Sequence, residues 1–200
     1  MNYLDKYKEF IKKYISFNIL EWKLFESKLS LKEFKKGEVI LHQGEICKEL
    51  YFINHGLARA YIIDENGKDF TWSIFFNDEN SDMTNLFIVD YDSFLHQRAS
   101  SIHIEALEDT QVIVNKYNDV QFLYNKLKKG ERFGRLMGEA AYTHVHKKII
   151  DRQTKSANER FEEFIATTPH LLDKVPQYHI ATLLGITPQH LSRLKKEYKN

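Results

Sequence analysis

Ser192, Arg193 and Lys196 lie three, four and seven residues beyond Gln189, close to the end of the chain. On a helix that spacing gathers all four on one side and turns Leu191 and Leu194 to the other. The chemistry such a face offers is hydrogen bonding to base edges. A glutamine amide can hold adenine and an arginine fork can hold guanine, each through two hydrogen bonds. Gln189, His190 and Arg193 are therefore the expected base contacts. Thr187, Ser192, Lys195 and Lys196 are the expected phosphate contacts, which position a protein on a duplex without reading it. Gln177 and Pro188 are grouped with them, so double-stranded DNA is the expected partner.

The elements that must present this face lie in PQYHIATLLGITPQHLSRLKKEY, Pro176 to Tyr198. Ile180, Leu183, Leu184, Ile186, Leu191 and Leu194 recur at helical spacing and can share a buried side. Gly185 can take the positive φ that ends a first helix, and Ala181 is small where two helices cross. Thr187 then reads as an N-cap and Pro188 as the first position of a second helix. Two helices around a short turn containing Gly make a helix-turn-helix. An ordinary helical hairpin explains the leucines equally well. It leaves unexplained the small residues, the Thr-Pro restart and the polar face occurring together.

Net charge is only +1, but it is unevenly spread. Between Asp64 and Asp109 there are 11 acidic residues against Lys68 and Arg98, whereas His170–Asn200 holds five basic against two acidic. DNA is repelled by the first region and attracted by the second. The lone cysteine, Cys47, has no internal disulfide partner and suits a reducing compartment. The Lys-rich start lacks a leader's apolar run, and no run approaches the ~18 residues of a membrane span. A cytoplasmic protein without membrane contact is expected.

Ahead of this motif the period changes twice. Residues 3–17 and a following segment capped by Asn18, with Glu21 three residues on, read as helices. From Leu31 short runs of period two are punctuated by Gly37, Gly44, Gly56 and Gly67, with a hairpin turn at 64–67. After a polar irregular stretch come SIHIEAL and TQVIVN; about eight strands in all suggest a small jelly roll or β-roll. From Asn118 the pattern is helical: a short helix through Lys129, an interruption at Gly130, and a long helix over roughly Glu131–Thr154. Its apolar stripe is Phe133, Met137, Ala141, Val145 and Ile149, and Gly134 and Gly138 would permit close helix approach. A further helix starts at Ser156 or Asn158.

The expected fold class is α+β: an N-terminal antiparallel β-roll or jelly roll, a long dimerisation helix and a C-terminal helix-turn-helix domain. The expected divisions are 1–117, 118–155 and 156–200. FKKGEVILHQGE with LYFINHGLARAY, SIHIEALEDTQVIV, and SANERFEEFI with PQYHIATLLGITPQHLSRLKK together resemble the Crp/Fnr family of bacterial transcription regulators, in its Bacteroidetes form. The resemblance covers nearly the whole chain. It implies a cyclic nucleotide-binding-like sensor roll and a homodimer seamed along the long helix. It further implies a palindromic operator, a small-molecule effector and RNA polymerase as a protein partner.

The family's nucleotide receptors hold phosphate with a short Gly-Glu-Leu insert followed by Arg and Ser or Thr. Matched to that pattern, this chain has Val89-Asp90-Tyr91 and Ser100-Ser101, with Arg98 displaced by two residues. The effector-pocket candidates are thus Asp90, Tyr91, Arg98, Ser100 and Ser101. Valine replaces the glycine and the matching arginine is missing, so a cyclic phosphate lacks the partner that would offset its desolvation. Cyclic AMP is not the expected effector. No other cofactor is expected, because one cysteine cannot hold an iron–sulfur cluster and nine scattered histidines form no haem or metal pattern. An enzyme is not expected either. A jelly-roll metalloenzyme needs His-x-His on a strand, and the only instance, His144-Val145-His146, is in the helical stretch. His103 and Glu105 alternate on a strand but make only a pair. The remaining alternative is a β-roll module acting through protein contacts without specific DNA binding, which the polar, basic face of the last helix disfavours.

Overall fold

The computed structural model describes residues 3–79 and 81–199. Two short helices, α1 (Asp5–Lys12) and α2 (Ile19–Glu26), come first. Asn18 Oδ1 accepts from the amides of Leu20 and Glu21, and Glu21 returns a bond to the Asn18 amide, a complete capping box. The first helix is shorter than its apolar spacing suggests. The chain turns after Lys12, which brings the Phe17 ring against Trp22 and Phe25.

Five strands follow: β1 (Leu29–Phe34), β2 (Val39–Leu41), β3 (Glu49–His55), β4 (Leu57–Ile63) and β5 (Asp69–Phe76). The stretch expected to be irregular contains α3 (Met83–Leu86), β6 (Phe87–Ile88) and α4 (Tyr91–His96), and β7 (His103–Ala106) and β8 (Thr110–Lys116) complete the roll. The sheet orders are β1-β8-β3-β6 and β2-β7-β4-β5, with each neighbouring pair antiparallel. Between β3 and β4 stands Gly56 at φ 108, where an added Cβ would lie 2.5 Å from the Thr110 backbone. Only glycine accepts both the dihedral and the approach.

The two sheets face each other around a core that includes Phe34, Tyr51, Ile53, Ile88, Ile104 and Val112. The outer face of the first sheet is covered by the N-terminal helices: Tyr7 stacks on Phe52 at 4.5 Å and Phe10 meets Phe87 edge-on at 5.5 Å. Phe52 is 1% exposed, a burial that contributes about 1.5–3 kcal/mol.

The next helices are α5 (Tyr117–Lys126) and α6 (Lys128–Thr154). The expected break at Gly130 is corrected here, as is the helix start at Asn118. Leu127, in extended conformation, separates the helices, Asn118 lies inside α5, and Gly130 lies inside the first turn of α6. Gly130 is there for space: a Cβ would sit 3.0 Å from the Leu123 carbonyl oxygen, where α5 and α6 cross.

Four helices close the chain: α7 (Ala157–Thr167), α8 (Leu171–Lys174), α9 (Gln177–Leu184) and α10 (Pro188–Lys199). Ser156 caps α7 in a second capping box with Glu159. Their core of Phe161, Ile165, Leu171, Ile180, Leu191 and Leu194 is continuous with Leu57, Ile74 and Phe76 of the second sheet. The terminal helices therefore rest on the outer face of β4 and β5.

Candidate nucleic-acid interface and sensor pocket

The turn between α9 and α10 is built as its residues dictate. Gly185 takes φ 70; its amide donates to the Thr182 carbonyl at 3.1 Å, and the Ile186 amide donates to Ala181 at 2.9 Å. These two bonds are a Schellman closure. Thr187 Oγ1 then accepts from the His190 amide at 3.2 Å, and its carbonyl accepts from Leu191 at 3.0 Å, so Thr187 starts the second helix. Leu191 and Leu194 are buried, 0% and 4% exposed, against α7 and α9.

The opposite side of α10 is open. Gln189, Ser192, Arg193 and Lys196 are all exposed, and so are Thr187 and Gln177. The only ion pair of Arg193 among the described residues is with Glu197, 3.8 Å away and one turn on, with both side chains more than half exposed. Such a pair is worth about 0.3–0.5 kcal/mol and yields readily to a better acceptor. Pro188, Lys195 and His190 are half-buried. His190 Nε2 is enclosed and has no hydrogen-bond partner among the described residues.

Of the effector-pocket candidates, only Asp90 and Ser100 come together. Asp90 is 8% exposed, and its carboxylate is committed: Oδ1 caps α4 by accepting from the amides of Asp92 and Ser93, and Oδ2 accepts from Ser100 Oγ at 2.8 Å. Arg98 is exposed and forked onto Asp92 at 2.7 and 2.5 Å. Ser101 is exposed. Tyr91 faces outward from the roll into an apolar cleft shared with Phe17, Phe25, Phe133 and Met137. None of the five lines the cavity between the sheets.

That cavity has a volume of about 330 Å³ and is lined by Leu41, Cys47, Tyr51, Ile88, Val89 and Ile104, with Lys32, Glu45, Lys48 and Glu49 as charged groups. Tyr51 donates to Glu49 Oε2 at 2.6 Å, and Lys32 approaches the same oxygen at 3.8 Å. Burial pushes the Cys47 thiol up to about 11, so it stays protonated. These residues were not foreseen. Lys32 and Glu49 come together only because β8 lies between β1 and β3, a pairing without a local signal.

Arg59 was also missed, although a signal exists. An arginine inside the apolar run LARAYII must be buried with partners or must break the strand. It is 4% exposed, with ion pairs to Glu105 at 2.6 Å and Asp69 at 2.7 Å, and one terminal nitrogen lies 2.8 Å from His179 Nδ1 on α9. Glu105 is thereby taken up by Arg59. His103, its neighbour on the strand, stacks on Tyr61 at 5.0 Å.

No helix among the described residues is long and apolar enough to cross a membrane. No curated protein matches the chain. Residues 31–127 match the cyclic nucleotide-binding domain. Among solved structures the chain resembles FixK2 from Bradyrhizobium japonicum, with a TM-score of 0.71, 16% identity and coverage of 86% of this chain and 84% of that one. A chain from Eubacterium rectale described as a regulator of the crp/fnr family gives 0.66 at 18% identity over 100% and 88%. The Thermus thermophilus catabolite activator protein gives 0.52 at 17% over 93% and 85%. Identities this low speak for the fold. Residues 31–127 are thus similar to a cyclic nucleotide-binding domain, and over its length the chain has the fold seen in these solved Crp/Fnr-type structures.

Proposed function

We propose that this protein is a cytoplasmic DNA-binding transcription regulator, not an enzyme, working as a homodimer on a palindromic operator. The observation that carries the reading is the α10 face. Gln189, Ser192, Arg193 and Lys196 stand exposed on the second helix of a correctly closed helix-turn-helix. In this motif that helix enters the major groove, and two copies read half-sites about one helical turn apart. A seam for two copies is supported by Tyr142, Val145 and Ile149 of α6, which are 72%, 38% and 52% exposed at steps of three and four. The sensor pocket is read as unresponsive to cyclic AMP, because Asp90 is already bonded and Arg98 lies on the surface beside Asp92. An effector, if the roll takes one, would enter the cavity between the sheets, where lysines and glutamates balance. RNA polymerase is the protein partner this reading calls for.

The test is selection of the purified protein on random duplexes at two salt concentrations, followed by sequencing. Enrichment of a two-fold palindrome is expected. Failure to enrich at low salt, with and without cell metabolite extract, would return the chain to the protein-contact reading.

A further inference from the structure

Every side of the Arg59 guanidinium is occupied. Nε donates to Glu105 Oε1 at 2.6 Å, one terminal nitrogen donates to Asp69 Oδ2 at 2.7 Å, and the other reaches Thr71 Oγ1 at 3.2 Å and His179 Nδ1 at 2.8 Å. The Tyr61 ring packs on its face, 4.2 Å from the central carbon. Glu105, Asp69 and Thr71 belong to the roll; His179 belongs to α9, the first helix of the helix-turn-helix. A guanidinium has only donors, so His179 Nδ1 must be the acceptor and the ring must be neutral with its proton on Nε2. Three further bonds join α9 to β5: the Thr71 amide donates to Thr182 Oγ1 at 3.1 Å, Thr182 Oγ1 donates to Thr71 Oγ1 at 3.2 Å, and Tyr178 Oη donates to the Asp69 carbonyl at 3.0 Å. Of these four links, only the His179 bond is broken by a proton.

We propose that Arg59 is the positioning residue that sets the helix-turn-helix on the sensor roll, and that acid loosens this seat by protonating His179. The seat regulates the DNA-reading site and in that sense rests on the function proposed above, although the contact itself is independent of DNA. Once protonated, Nδ1 points a donor at a donor and places a second cation beside the guanidinium.

The groups facing the ring are Arg59 from β4, Asp69 from β5, Glu105 from β7 and Tyr178 from α9; Tyr61 and His103 lie behind Arg59, and Asp64 lies near Tyr178. Burial first and Arg59 second hold His179 below its ordinary value, against the opposing pull of Asp69 and Glu105. The docked pKa is depressed, so the seat is fully present above the free imidazole's value of about 6.5 and is lost as pH falls through the docked value.

The experiment is nitrogen NMR of the histidine rings together with amide exchange at Thr71, on the full chain between about pH 8 and about pH 5, without DNA. His179 is assigned by comparison with His179→Gln, which keeps an acceptor and takes up no proton. The expected wild-type result is an Nε2–H tautomer at neutral pH. Protection of the Thr71 amide, corrected for intrinsic exchange, should then fall about tenfold per unit between the free and docked titration points. Protection in His179→Gln should stay flat. Three results would overturn the proposal: a proton on Nδ1 at neutral pH, equal acid loss in both proteins, or a protonated His179 that stays docked by turning to Asp69. Failure to select an operator leaves these readouts intact, and a flat response beside a selected operator removes the seat alone.

Discussion

Arg193 and Lys196 stand on the same exposed face of α10, yet they are expected to act differently on DNA. Arginine forms a planar fork matched to two acceptors of guanine, whereas lysine is a point charge that suits a phosphate. Arg193→Ala should weaken the selected operator by about 1–3 kcal/mol and relax preference at one base pair per half-site, read by competition against operator variants. Lys196→Ala should weaken all duplexes alike and lower the slope of log K against log salt by about one. The opposite pattern would exchange the two roles. At the other end of the molecule, the buried bond between Asp90 and Ser100 leaves no free carboxylate for a ribose. A ligand at a hundred times its dissociation constant adds about 2.7 kcal/mol of stability. Cyclic AMP at millimolar concentration should therefore leave the melting temperature unchanged; a rise of several degrees would refute this.

Among the elements, the turn between α9 and α10 shows why some features are legible in a sequence and others are not. Gly185, Thr187 and Pro188 state a helix end and a helix start within three residues, because Gly185 and Thr187 close bonds to backbone groups at the two helix ends and Pro188 carries no N–H to be satisfied. Gly185→Ala would force a Cβ into the left-handed region, with the Arg152 guanidinium 3.4 Å away. It should destabilise the fold by about 1–2 kcal/mol in thermal unfolding. A neutral effect would show that the turn can re-form without the Schellman closure. Asn18 with Glu21 was legible for the same local reason, and the Ser156–Glu159 capping box decides the start of α7, which the sequence leaves open between Ser156 and Asn158. The strands were legible by alternation and glycine punctuation. What was not legible is non-local. Two-residue β6 has no period to detect, Gly130 reads as a breaker until the Leu123 carbonyl is seen beneath it, and the seat of α9 on β5 depends on Arg59 meeting a histidine 120 residues away.

At the scale of the whole molecule, α6 decides whether one chain or two forms the working unit. The sequence shows a single stripe repeating every four residues from Phe133 to Ile149. An α-helix advances ~100° per residue, so each such step drifts by roughly 40° and the stripe winds around the helix. Its first half faces the roll: Phe133 meets Phe10 at 6.2 Å and Met137 is 7% exposed. Its second half has turned outward, where Val145 and Ile149 join Tyr142 in a seam of alternating steps of three and four. Gly138 begins that seam, and among the described residues an added Cβ there would meet no atom within 4 Å beyond its own stretch of helix, leaving room for another helix to approach. Burial of each apolar side chain contributes about 1.5 kcal/mol or more, so the four supplied by Val145 and Ile149 in a dimer amount to on the order of 6 kcal/mol. Replacing both with glutamate should convert the protein to a monomer in sedimentation at micromolar concentration. Its melting should persist, because neither side chain belongs to the core clusters of the chain. Operator binding should fall to the level of a single half-site, since the second contact is no longer held at high effective concentration. A double variant that still sediments as a dimer would place the seam elsewhere and leave the apolar side of α6 without a partner.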